Sequence, residues 1–430
     1  MLHRAQSARG DRHRWLVPGV LALIAHLSTL QTDAAQKIAI PQLPAPSGPF
    51  GIGRVAYHWI DSTRADGESR DPSAPRELMV YLWYPSQKSR GWGTGVYLPG
   101  AKQINAAPDA RRQMEEEFGS NWPLVVSGAV TSHSIENAAV AKRPRQFPVV
   151  IFSHGVGGSS FESTGLFENL VSHGYVVAAV EHTHLAAAVT FPSGRIVVFH
   201  QSVFTGATPQ ERLSQMVIWA RQLTETTAAD LRFVLDKMTQ LNRAAEKPSI
   251  LAGRLDLNRI AALGHSAGGS AAARACQLDQ RIKACISLDG EANPEGAFLN
   301  YPGAKSPSQP FLLVEVPHTP TDEELVRMGE TRAQFNEYIT RKETQLQNCG
   351  GGSYHVLLKG QGMFHISFDD HPLFASANNP GDNQVALHNL QITESITRAF
   401  LDMYLKQEKQ PLFDGGPRPP EMTLKKFKKY

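Results

Sequence analysis

Short apolar runs alternate along the chain with longer stretches that carry apolar residues at helical spacing. The short runs are rich in β-branched and aromatic residues, as buried strands are. This alternation predicts a mostly parallel sheet flanked by helices. The eight predicted strands are 55–60, 78–84, 148–153, 176–181, 259–263, 284–288, 311–316 and 354–358. The predicted helices are 162–172, 211–241, 267–277, 323–347 and 384–405.

Two connections are longer than a link between a strand and a helix requires. They span 100–146 and 184–258, and long insertions at the edge of a sheet often act as lids. Glycine and proline crowd the start of the last segment, 415–430, which also carries a run of lysines. That composition predicts a flexible basic tail. We therefore expect one compact domain over residues 36–414.

The first 35 residues do not fit this pattern. Four arginines precede a short apolar run, which is followed by the small residues Ala34 and Ala35. This order is typical of a secretory signal peptide. The run is short for a membrane span and contains Pro18 and Gly19, although a retained anchor is the alternative. We predict that residues 1–35 are a signal peptide and that the mature chain is secreted or periplasmic.

The composition is that of an ordinary globular protein, with 41% hydrophobic and 19% charged residues among 430. The formal net charge of +3 comes from the two ends, because four arginines face two aspartates in the leader and four lysines face one glutamate in the last ten residues. The body of the chain lacks the basic footprint of a nucleic-acid binder. Three cysteines, Cys276, Cys285 and Cys349, allow at most one disulfide.

The pentapeptide GHSAG at 264–268 lies between a predicted strand and a predicted helix. In that position G-x-S-x-G is typical of a nucleophile elbow, in which a tight turn exposes the serine and the glycines admit a close backbone. A serine hydroxyl needs this exposure and a nearby base to attack a substrate. Ser266 is the predicted nucleophile, and a glycine-rich structural turn is the alternative.

A serine nucleophile needs an imidazole that takes its proton and a carboxylate that orients the imidazole. On a parallel sheet these groups follow the serine in the order acid, then histidine, at the carboxyl ends of strands. Asp289 directly follows a predicted strand, and His365 lies in the loop after the last strand. We predict Asp289 as the acid and His365 as the base, with His318 as runner-up. The candidates ranked lower are Asp279, Glu291, Glu295, Glu315, His355 and His371.

Attack on an acyl carbonyl builds negative charge on oxygen, and two backbone N–H groups must point at it. Ala267 directly follows the predicted nucleophile, and Val156 lies in the glycine-rich loop SHGVGG after the third strand. We predict these two residues as the oxyanion donors. The same loop does not match a phosphate-binding loop, because it lacks G-K-[ST] and does not have the last glycine of G-x-G-x-x-G.

Glu181, His182 and His184 stand at the end of a predicted strand with a spacing that metal ligands can have. No H-E-x-x-H motif and no further ligand cluster accompanies them in the sequence. We interpret them as structural polar groups and expect neither a metal nor a cofactor.

Several segments resemble platelet-activating factor acetylhydrolases of the plasma, lipoprotein-associated phospholipase type. These segments are PVVIFSHGVGGS, LVSHGYVVAAVEH, RIAALGHSAGG, ISLDG, the loop around His365 and WYPSQ at 83–87. The likeness runs from about residue 51 to about residue 405. It implies an α/β-hydrolase fold with lid insertions. It also implies Ser266 as nucleophile, Asp289 as acid, His365 as base, and backbone donors at Val156 and Ala267.

The motifs and the resemblance predict a secreted serine carboxylic-ester hydrolase that cleaves short-chain acyl esters through an acyl-enzyme. Phospholipid sn-2 esters are among the candidate substrates, and contact with a lipid surface is left open. The first alternative is a polyester or cyclic-ester hydrolase of the dienelactone type. The second is a hydrolase-fold binding protein without turnover, although the presence of all three triad candidates argues against it.

Overall fold

A ten-stranded, mostly parallel sheet forms the centre of the molecule. The computed structural model describes residues 39–69, 71, 73–88, 94–243, 249–290 and 306–427, and the predicted signal peptide lies outside them. The strands are β1 (Gly51–Ala65), β2 (Pro75–Ser86), β3 (Gly95–Val96), β4 (Thr131–Ser132), β5 (Ser134–Glu136), β6 (Phe147–Ser153), β7 (Val176–Glu181), β8 (Ala188–Thr190), β9 (Ile196–Val198), β10 (Leu255–His265), β11 (Ile282–Leu288), β12 (Phe311–Glu315), β13 (Ser353–Leu358) and β14 (Met422–Phe427). The helices are α1 (Ala101–Ala106), α2 (Pro108–Phe118), α3 (Trp122–Ser127), α4 (Thr164–Ser172), α5 (Pro209–Arg243), α6 (Ala267–Leu278), α7 (Asp322–Met328), α8 (Arg332–Asn348), α9 (His371–Ala375) and α10 (Pro380–Leu405).

The strand order across the sheet is β14, β13, β12, β11, β10, β6, β7, β2, β1, β5. The strands from β13 to β7 run parallel, whereas β2 is antiparallel to both of its neighbours and β14 is antiparallel to β13. Every residue of β6 and of β7 is buried. Burial on both faces explains why these strands are continuous apolar runs in the sequence.

The direction in which successive strands are added to the sheet reverses beside β6. From β6 the chain continues to β7 on one side, whereas β10 lies on the other side. Both neighbours are parallel to β6, so the carboxyl ends of β6 and β10 meet at the same edge of the sheet. Such a reversal leaves a crevice in which ligands bind. It places the glycine-rich loop after β6 next to the GHSAG turn after β10.

Helices cover both faces of the sheet, because successive strand residues point to opposite sides. On one face α4 and α10 pack on the sheet, with Leu166 and Phe152 in the same buried cluster. On the other face α5 and α6 pack on the sheet, with Leu231 and Ile151 in a second cluster. The core therefore consists of two apolar layers separated by the sheet.

A disulfide between Cys276 and Cys285 joins the end of α6 to β11. Both cysteines are buried, and Cys349 is a buried free thiol. The sequence allows at most one bridge, and this is the pairing that forms. The bridge fixes the helix that begins at Ala267 against the strand that leads to Asp289.

All eight predicted strands are present, and the sheet gains two edge strands, β5 and β14. The expectation of a flexible tail over 415–430 is wrong for β14, which pairs with β13 from Met422 to Phe427. Met422 and Phe427 are buried, and Lys425 binds Glu343 at 2.6 Å. Exposed lysines protect an edge strand from pairing with other chains. In this short segment the run of lysines obscures the alternation of apolar and polar residues that would predict a strand.

The two long insertions fold differently from each other. Residues 100–127 form α1, α2 and α3, whereas the second insertion begins with the β8–β9 hairpin and continues into the 35-residue helix α5. Residues 228–238 of α5 contribute to the core below the sheet. This helix is therefore part of the core rather than a lid. The hairpin and α2 do meet, because the Gln113 side chain donates to the Phe199 carbonyl.

The predicted helix 323–347 is two helices, α7 and α8. Gly329 ends α7 with φ of 82°, and Thr331 caps α8 by accepting from the Gln334 N–H. Glycine adopts a positive φ at the end of a helix without a steric penalty, and a threonine hydroxyl accepts from a free N–H at the start of one. No helix in the described part of the chain is long and apolar enough to cross a membrane.

Candidate active site

Ser266 occupies a strained turn between β10 and α6. Its φ of 56° and ψ of −128° are rare for an L residue. A Cβ at Gly264 would lie 2.0 Å from the Gly268 carbonyl oxygen, and a Cβ at Gly268 would lie 2.0 Å from the Ser153 carbonyl oxygen. Only glycine fits at either position, so the G-x-S-x-G spacing follows from the close approach of the turn to β6.

The structure brings Ser266, His365 and Asp289 together in one hydrogen-bond chain, which we name the outer relay. The Ser266 hydroxyl donates to His365 Nε2 at 2.9 Å, and His365 Nδ1 donates to Asp289 Oδ2 at 2.6 Å. The other Asp289 oxygen accepts the Val316 N–H at 3.0 Å. Asp289 is buried, whereas Ser266 and His365 are partly exposed. The serine is thus paired with an oriented base and remains accessible.

The surroundings of His365 favour its charged form. Burial lowers the pKa of His365, but the hydrogen bond and negative charge of Asp289, with a contribution from Asp369, outweigh it. The pKa is therefore raised above its usual value of 6.5. A higher pKa makes the ring a stronger base and stabilises the imidazolium that forms when it takes a proton.

His265 supports the backbone of His365, and sequence reasoning passed over it although it lies within GHSAG. Its Nε2 donates to the His365 carbonyl at 2.9 Å, and the two rings lie 4.9 Å apart. Burial lowers the pKa of His265 to about 4, with a contribution from the nearby His365. His265 is therefore neutral near pH 7 and acts as a fixed hydrogen-bond donor.

The two predicted oxyanion donors flank the serine. Ala267 is the first residue of α6, whose first N–H groups have no partner within the helix. Gly155 packs against Ser266, since a Cβ on Gly155 would lie 3.2 Å from the Ser266 Cβ. The next N–H in that loop belongs to Val156, and the one after it, from Gly157, donates to the Leu185 carbonyl. Within the described residues neither Val156 N–H nor Ala267 N–H has an acceptor.

His154 orients the loop that carries Val156. Its Nε2 accepts the His182 N–H at 3.2 Å, so its Nδ1 carries the proton and donates to the Gly155 carbonyl at 2.7 Å. That carbonyl and the Val156 N–H belong to one planar peptide unit and point in opposite directions. Holding the Gly155 carbonyl therefore sets the direction of the Val156 N–H. His154 and Gly155 precede Val156 in the glycine-rich loop, and the sequence alone does not indicate this role for His154.

A second serine–histidine–aspartate chain lies beneath this loop, and we name it the inner relay. It consists of Ser153, His182 and Asp230, with the ring of His182 2.9 Å from both side chains. All three residues have no exposed surface. Arg76 binds Asp230 at 2.7 Å. The inner relay thus ties the ends of β6 and β7 to the buried face of α5.

The β8–β9 hairpin covers one side of the oxyanion loop. The Ala187 N–H donates to the Gly158 carbonyl at 2.8 Å, and Phe199 donates its N–H to the Ala187 carbonyl at 3.3 Å. The Phe199 ring lies 3.3 Å from the position that a Cβ on Gly157 would occupy. An aromatic wall therefore stands next to the predicted oxyanion donor.

The candidates that the sequence ranked lower occupy other places. Glu315 accepts a hydrogen bond from Lys342 at 2.9 Å and pairs with His355 at 2.6 Å. Glu315 and His355 thus belong to an ion-pair cluster with Lys342. His318 is exposed in the segment after β12. Asp279 pairs with Arg281 on the far side of α6. Glu291 and Glu295 lie outside the described residues.

The three residues that could suggest a metal site point to separate partners. Glu181 accepts the Ser160 N–H at 2.8 Å, His182 belongs to the inner relay, and His184 Nε2 lies 3.1 Å from Asp66. Their polar atoms have protein partners that differ for each residue. This arrangement supports a structural role for them.

A serine on a strand–turn–helix elbow, with its histidine and aspartate at the carboxyl edge of a mostly parallel sheet, defines the α/β-hydrolase class of fold. The chain belongs to the family of platelet-activating factor acetylhydrolase, isoform II, whose family model matches residues 36–377. The fold class and the family resemblance expected from the sequence are thereby confirmed.

Individual relatives agree with the family. A probable 1-alkyl-2-acetylglycerophosphocholine esterase of Arthroderma benhamiae is 26% identical over 284 residues, which cover 63% of this chain and 64% of that protein. A platelet-activating factor acetylhydrolase of Cavia porcellus is 28% identical over 332 residues, which cover 73% of this chain and 68% of that protein. The match thus spans just under two thirds of the length of the fungal relative.

A solved structure shares the fold over most of its length. The ferulic acid esterase from Streptomyces cinnamoneus matches with a TM-score of 0.62 and 29% sequence identity, and the match covers 90% of this chain and 99% of that one.

Proposed function

We propose that this chain is a serine carboxylic-ester hydrolase. The observation that carries the proposal is the outer relay, in which an accessible serine is hydrogen-bonded to a histidine and the histidine to a buried aspartate. The names of the relatives and of the structural neighbour, all esterases or acetylhydrolases, support the same reaction class.

In the first step Ser266 Oγ attacks the acyl carbonyl carbon while His365 Nε2 takes the hydroxyl proton. The N–H groups of Val156 and Ala267 stabilise the negative charge on the carbonyl oxygen. His365, now an imidazolium held by Asp289, returns the proton to the leaving alkoxide as the C–O bond breaks. The products of this step are the free alcohol and an acyl ester on Ser266.

In the second step water replaces the alcohol. His365 takes a proton from the water, and the resulting hydroxide attacks the acyl carbonyl on the same face. Collapse of this intermediate breaks the bond to Ser266 Oγ, which recovers its proton from His365. The carboxylic acid leaves, and the outer relay returns to its starting state.

The substrate class we propose is short-chain acyl esters, including the sn-2 acetyl ester of an alkyl-acetyl-glycerophosphocholine. The names of the two relatives support this choice. A second candidate is an ester of an aromatic acid, because the ferulic acid esterase matches 90% of this chain.

Labelling with a fluorophosphonate tests the reaction class. We expect one covalent adduct, located on Ser266 by mass spectrometry, and loss of p-nitrophenyl acetate hydrolysis in parallel with labelling. Ser214 is an exposed serine of α5, and Ser214→Ala is the matched control that keeps both activities. Absence of an adduct together with absence of hydrolysis would instead favour a hydrolase-fold binding protein.

Comparison of kcat/KM for an alkyl-acetyl-glycerophosphocholine, methyl ferulate and a polyester film tests the substrate class. We expect the acetyl phospholipid to be cleaved fastest. Faster cleavage of methyl ferulate would assign the chain to aromatic esters, and release of acid only from the film would assign it to polyesters.

We also propose that the mature chain is exported after removal of residues 1–35. The order of arginines, apolar run and small residues supports this proposal. Expression of the full chain in a host with a general secretion pathway, followed by N-terminal sequencing of the exported protein, tests it. We expect the exported protein to begin at Gln36. A membrane-bound protein that still begins at Met1 would contradict the proposal.

A further inference from the structure

A cluster of three residues of types that bind metals lies outside the outer relay. One nitrogen of His371 and one carboxylate oxygen from each of Glu117 and Glu162 lie within 4.8 Å of one another. Glu117 belongs to α2, Glu162 to the 3-10 turn that follows the oxyanion loop, and His371 begins α9. Three separate segments of the chain therefore converge on one point.

The orientation of His371 suits a metal ligand. Its Nδ1 lies 2.9 Å from Asp369 Oδ1, and in the neutral ring that donates from Nδ1 the lone pair is on Nε2. Nε2 faces Glu117 Oε1 in an ion-pair contact that lacks hydrogen-bond geometry, and it has no other partner. A carboxylate that holds one ring nitrogen of a histidine commonly directs the other nitrogen at a metal ion.

Glu162 supplies a second observation, independent of His371. The residue is only 8% exposed, and its Oε1 is buried without a hydrogen-bond partner. Its Oε2 lies 4.0 Å from His371 Nδ1, so the carboxylate is directed into the cluster. A buried carboxylate oxygen without a partner is costly unless a cation or a donor reaches it.

Carboxyl groups outnumber the imidazole in this cluster. Those of Glu117, Glu162 and Asp369 face the single imidazole of His371. A divalent cation would relieve this crowding of acidic groups and occupy the two unpartnered atoms.

We propose that Glu117, Glu162 and His371 bind a divalent transition-metal ion, with Zn²⁺ as the preferred ion. Imidazole and carboxylate groups both ligate Zn²⁺, whereas Ca²⁺ and Mg²⁺ prefer oxygen ligands alone. Bonds of about 2.1 Å at tetrahedral angles place two ligand atoms about 3.4 Å apart, so ligation requires side-chain shifts of about 1 Å that separate His371 Nε2 from Glu117 Oε1 and bring Glu162 closer. Water completes the coordination.

The bound ion has a positioning role in this proposal. It joins α2, from the first insertion, to the segment behind the oxyanion loop and to the segment that follows His365. Asp369 and His371 lie a few residues after the proposed base, and Glu162 lies a few residues after Val156. The ion takes no part in the ester chemistry, which uses only the outer relay and two backbone N–H groups.

Metal binding by the untagged full-length chain tests the proposal without measuring activity. The protein is stripped with EDTA, and Zn²⁺ is then titrated in competition with a chromogenic zinc chelator, with Mn²⁺ and Ca²⁺ titrated separately by thermal unfolding. We expect one equivalent of Zn²⁺ to bind and to raise the unfolding temperature by several degrees at about 100 times Kd. No binding of Zn²⁺ at micromolar concentrations would overturn the proposal.

Two variants on one helix make the test specific. Glu117 is a quarter exposed, so Glu117→Gln preserves the fold while it removes a ligand. We expect it to weaken Zn²⁺ binding by at least about 100-fold. Glu115→Gln, at an exposed position that pairs with Arg111, is the matched control and keeps wild-type affinity. Equal affinity of wild type and Glu117→Gln would show that zinc binds elsewhere and would overturn the site.

Discussion

The molecule contains two serine–histidine–aspartate chains at the ends of neighbouring strands, and they differ in access rather than in bonding. The outer relay has hydrogen bonds of 2.9 and 2.6 Å, and the inner relay has two of 2.9 Å. The outer serine lies on a strained, partly exposed turn, whereas the inner serine is fully buried at the end of a regular strand. A relay thus becomes a candidate nucleophile only when its serine can reach a substrate and a pair of oxyanion donors.

The two histidines also differ in charge. The pKa of His365 is raised above 6.5, because Asp289 outweighs the effect of burial. Burial lowers the pKa of His182 to about 4; the hydrogen bond and charge of Asp230 oppose this effect, and the nearby His154 and Arg76 add to it. In the inner relay burial therefore outweighs the aspartate, whereas in the outer relay the aspartate outweighs burial. The inner relay is therefore a structural support with a neutral ring.

The largest contrast is expected between the two serines. Ser266→Ala should lower kcat/KM for p-nitrophenyl acetate by about 10⁴- to 10⁶-fold, because the nucleophile is lost. Ser153→Ala removes one buried hydrogen bond and should cost less than about tenfold. Steady-state kinetics on both variants measures the ratio. Similar losses of kcat/KM in the two variants would mean that exposure of the serine does not distinguish the two relays.

The aspartate of the outer relay should affect both turnover and pH dependence. Asp289→Asn should lower kcat by about 10³- to 10⁴-fold, since the asparagine favours the wrong tautomer of His365. In wild type, activity should be lost as the pH falls through the raised pKa of His365, because only the neutral ring accepts the serine proton.

The neighbours that face His365 determine the direction of the shift in the variant. Asp289 and Asp369 raise its pKa, while burial beside His265 opposes them. Removing the Asp289 charge should move the acidic limb of kcat/KM to lower pH. A pH–rate profile measured for wild type and Asp289→Asn checks this, and a shift to higher pH would contradict the assignment of His365 as the base.

A smaller effect is expected at His154, which links the inner relay to the oxyanion loop. His154→Leu should lower kcat by about 10- to 100-fold with little change in KM, because the Val156 N–H loses its fixed direction. His154→Gln should recover part of the loss, since an amide can accept from His182 and donate to Gly155. Affinity for a trifluoromethyl ketone should fall in parallel with kcat. A change in KM alone would point to a different role.

The smallest effect on turnover is expected at Asp230, where stability should change instead. Asp230→Asn should lower the free energy of unfolding by about 3–5 kcal/mol, because the buried Arg76 loses its closest carboxylate and keeps only the longer contact to Asp66. Asp236→Asn, at an exposed position of the same helix, should cost less than about 1 kcal/mol. Urea unfolding measures both variants, and turnover per folded molecule should change by less than about tenfold. A loss of turnover without loss of stability would assign chemistry to the inner relay.

Much of the fold and of the outer relay follows from local sequence pattern. The apolar runs predict all eight central strands, and the turn around Ser266 carries its own glycine spacing. Asp289 and His365 could be ranked because Asp289 directly follows a strand, His365 lies in the loop after another, and the carboxyl ends of parallel strands meet at one edge. The catalytic roles of these residues stay predictions until a variant is measured.

The inner relay and the three-residue cluster depend on contacts between distant segments. Ser153 and Asp230 are brought together only when α5 packs beneath the end of β6, and nothing in either segment alone indicates the other. The C-terminal strand was missed for a different reason. Its lysines satisfy the rule for a solvated tail and equally the rule for a protected edge, and only the partner strand decides between them.

The pairing of β14 with β13 has a practical consequence for handling the protein. A chain shortened to end at residue 414, where composition places the end of the domain, would leave the outer backbone groups of β13 without a partner. Such an open edge is a template for pairing with a second copy. β14 therefore protects this edge of the sheet against self-association. An affinity tag should be added after residue 430 without removal of residues 415–430.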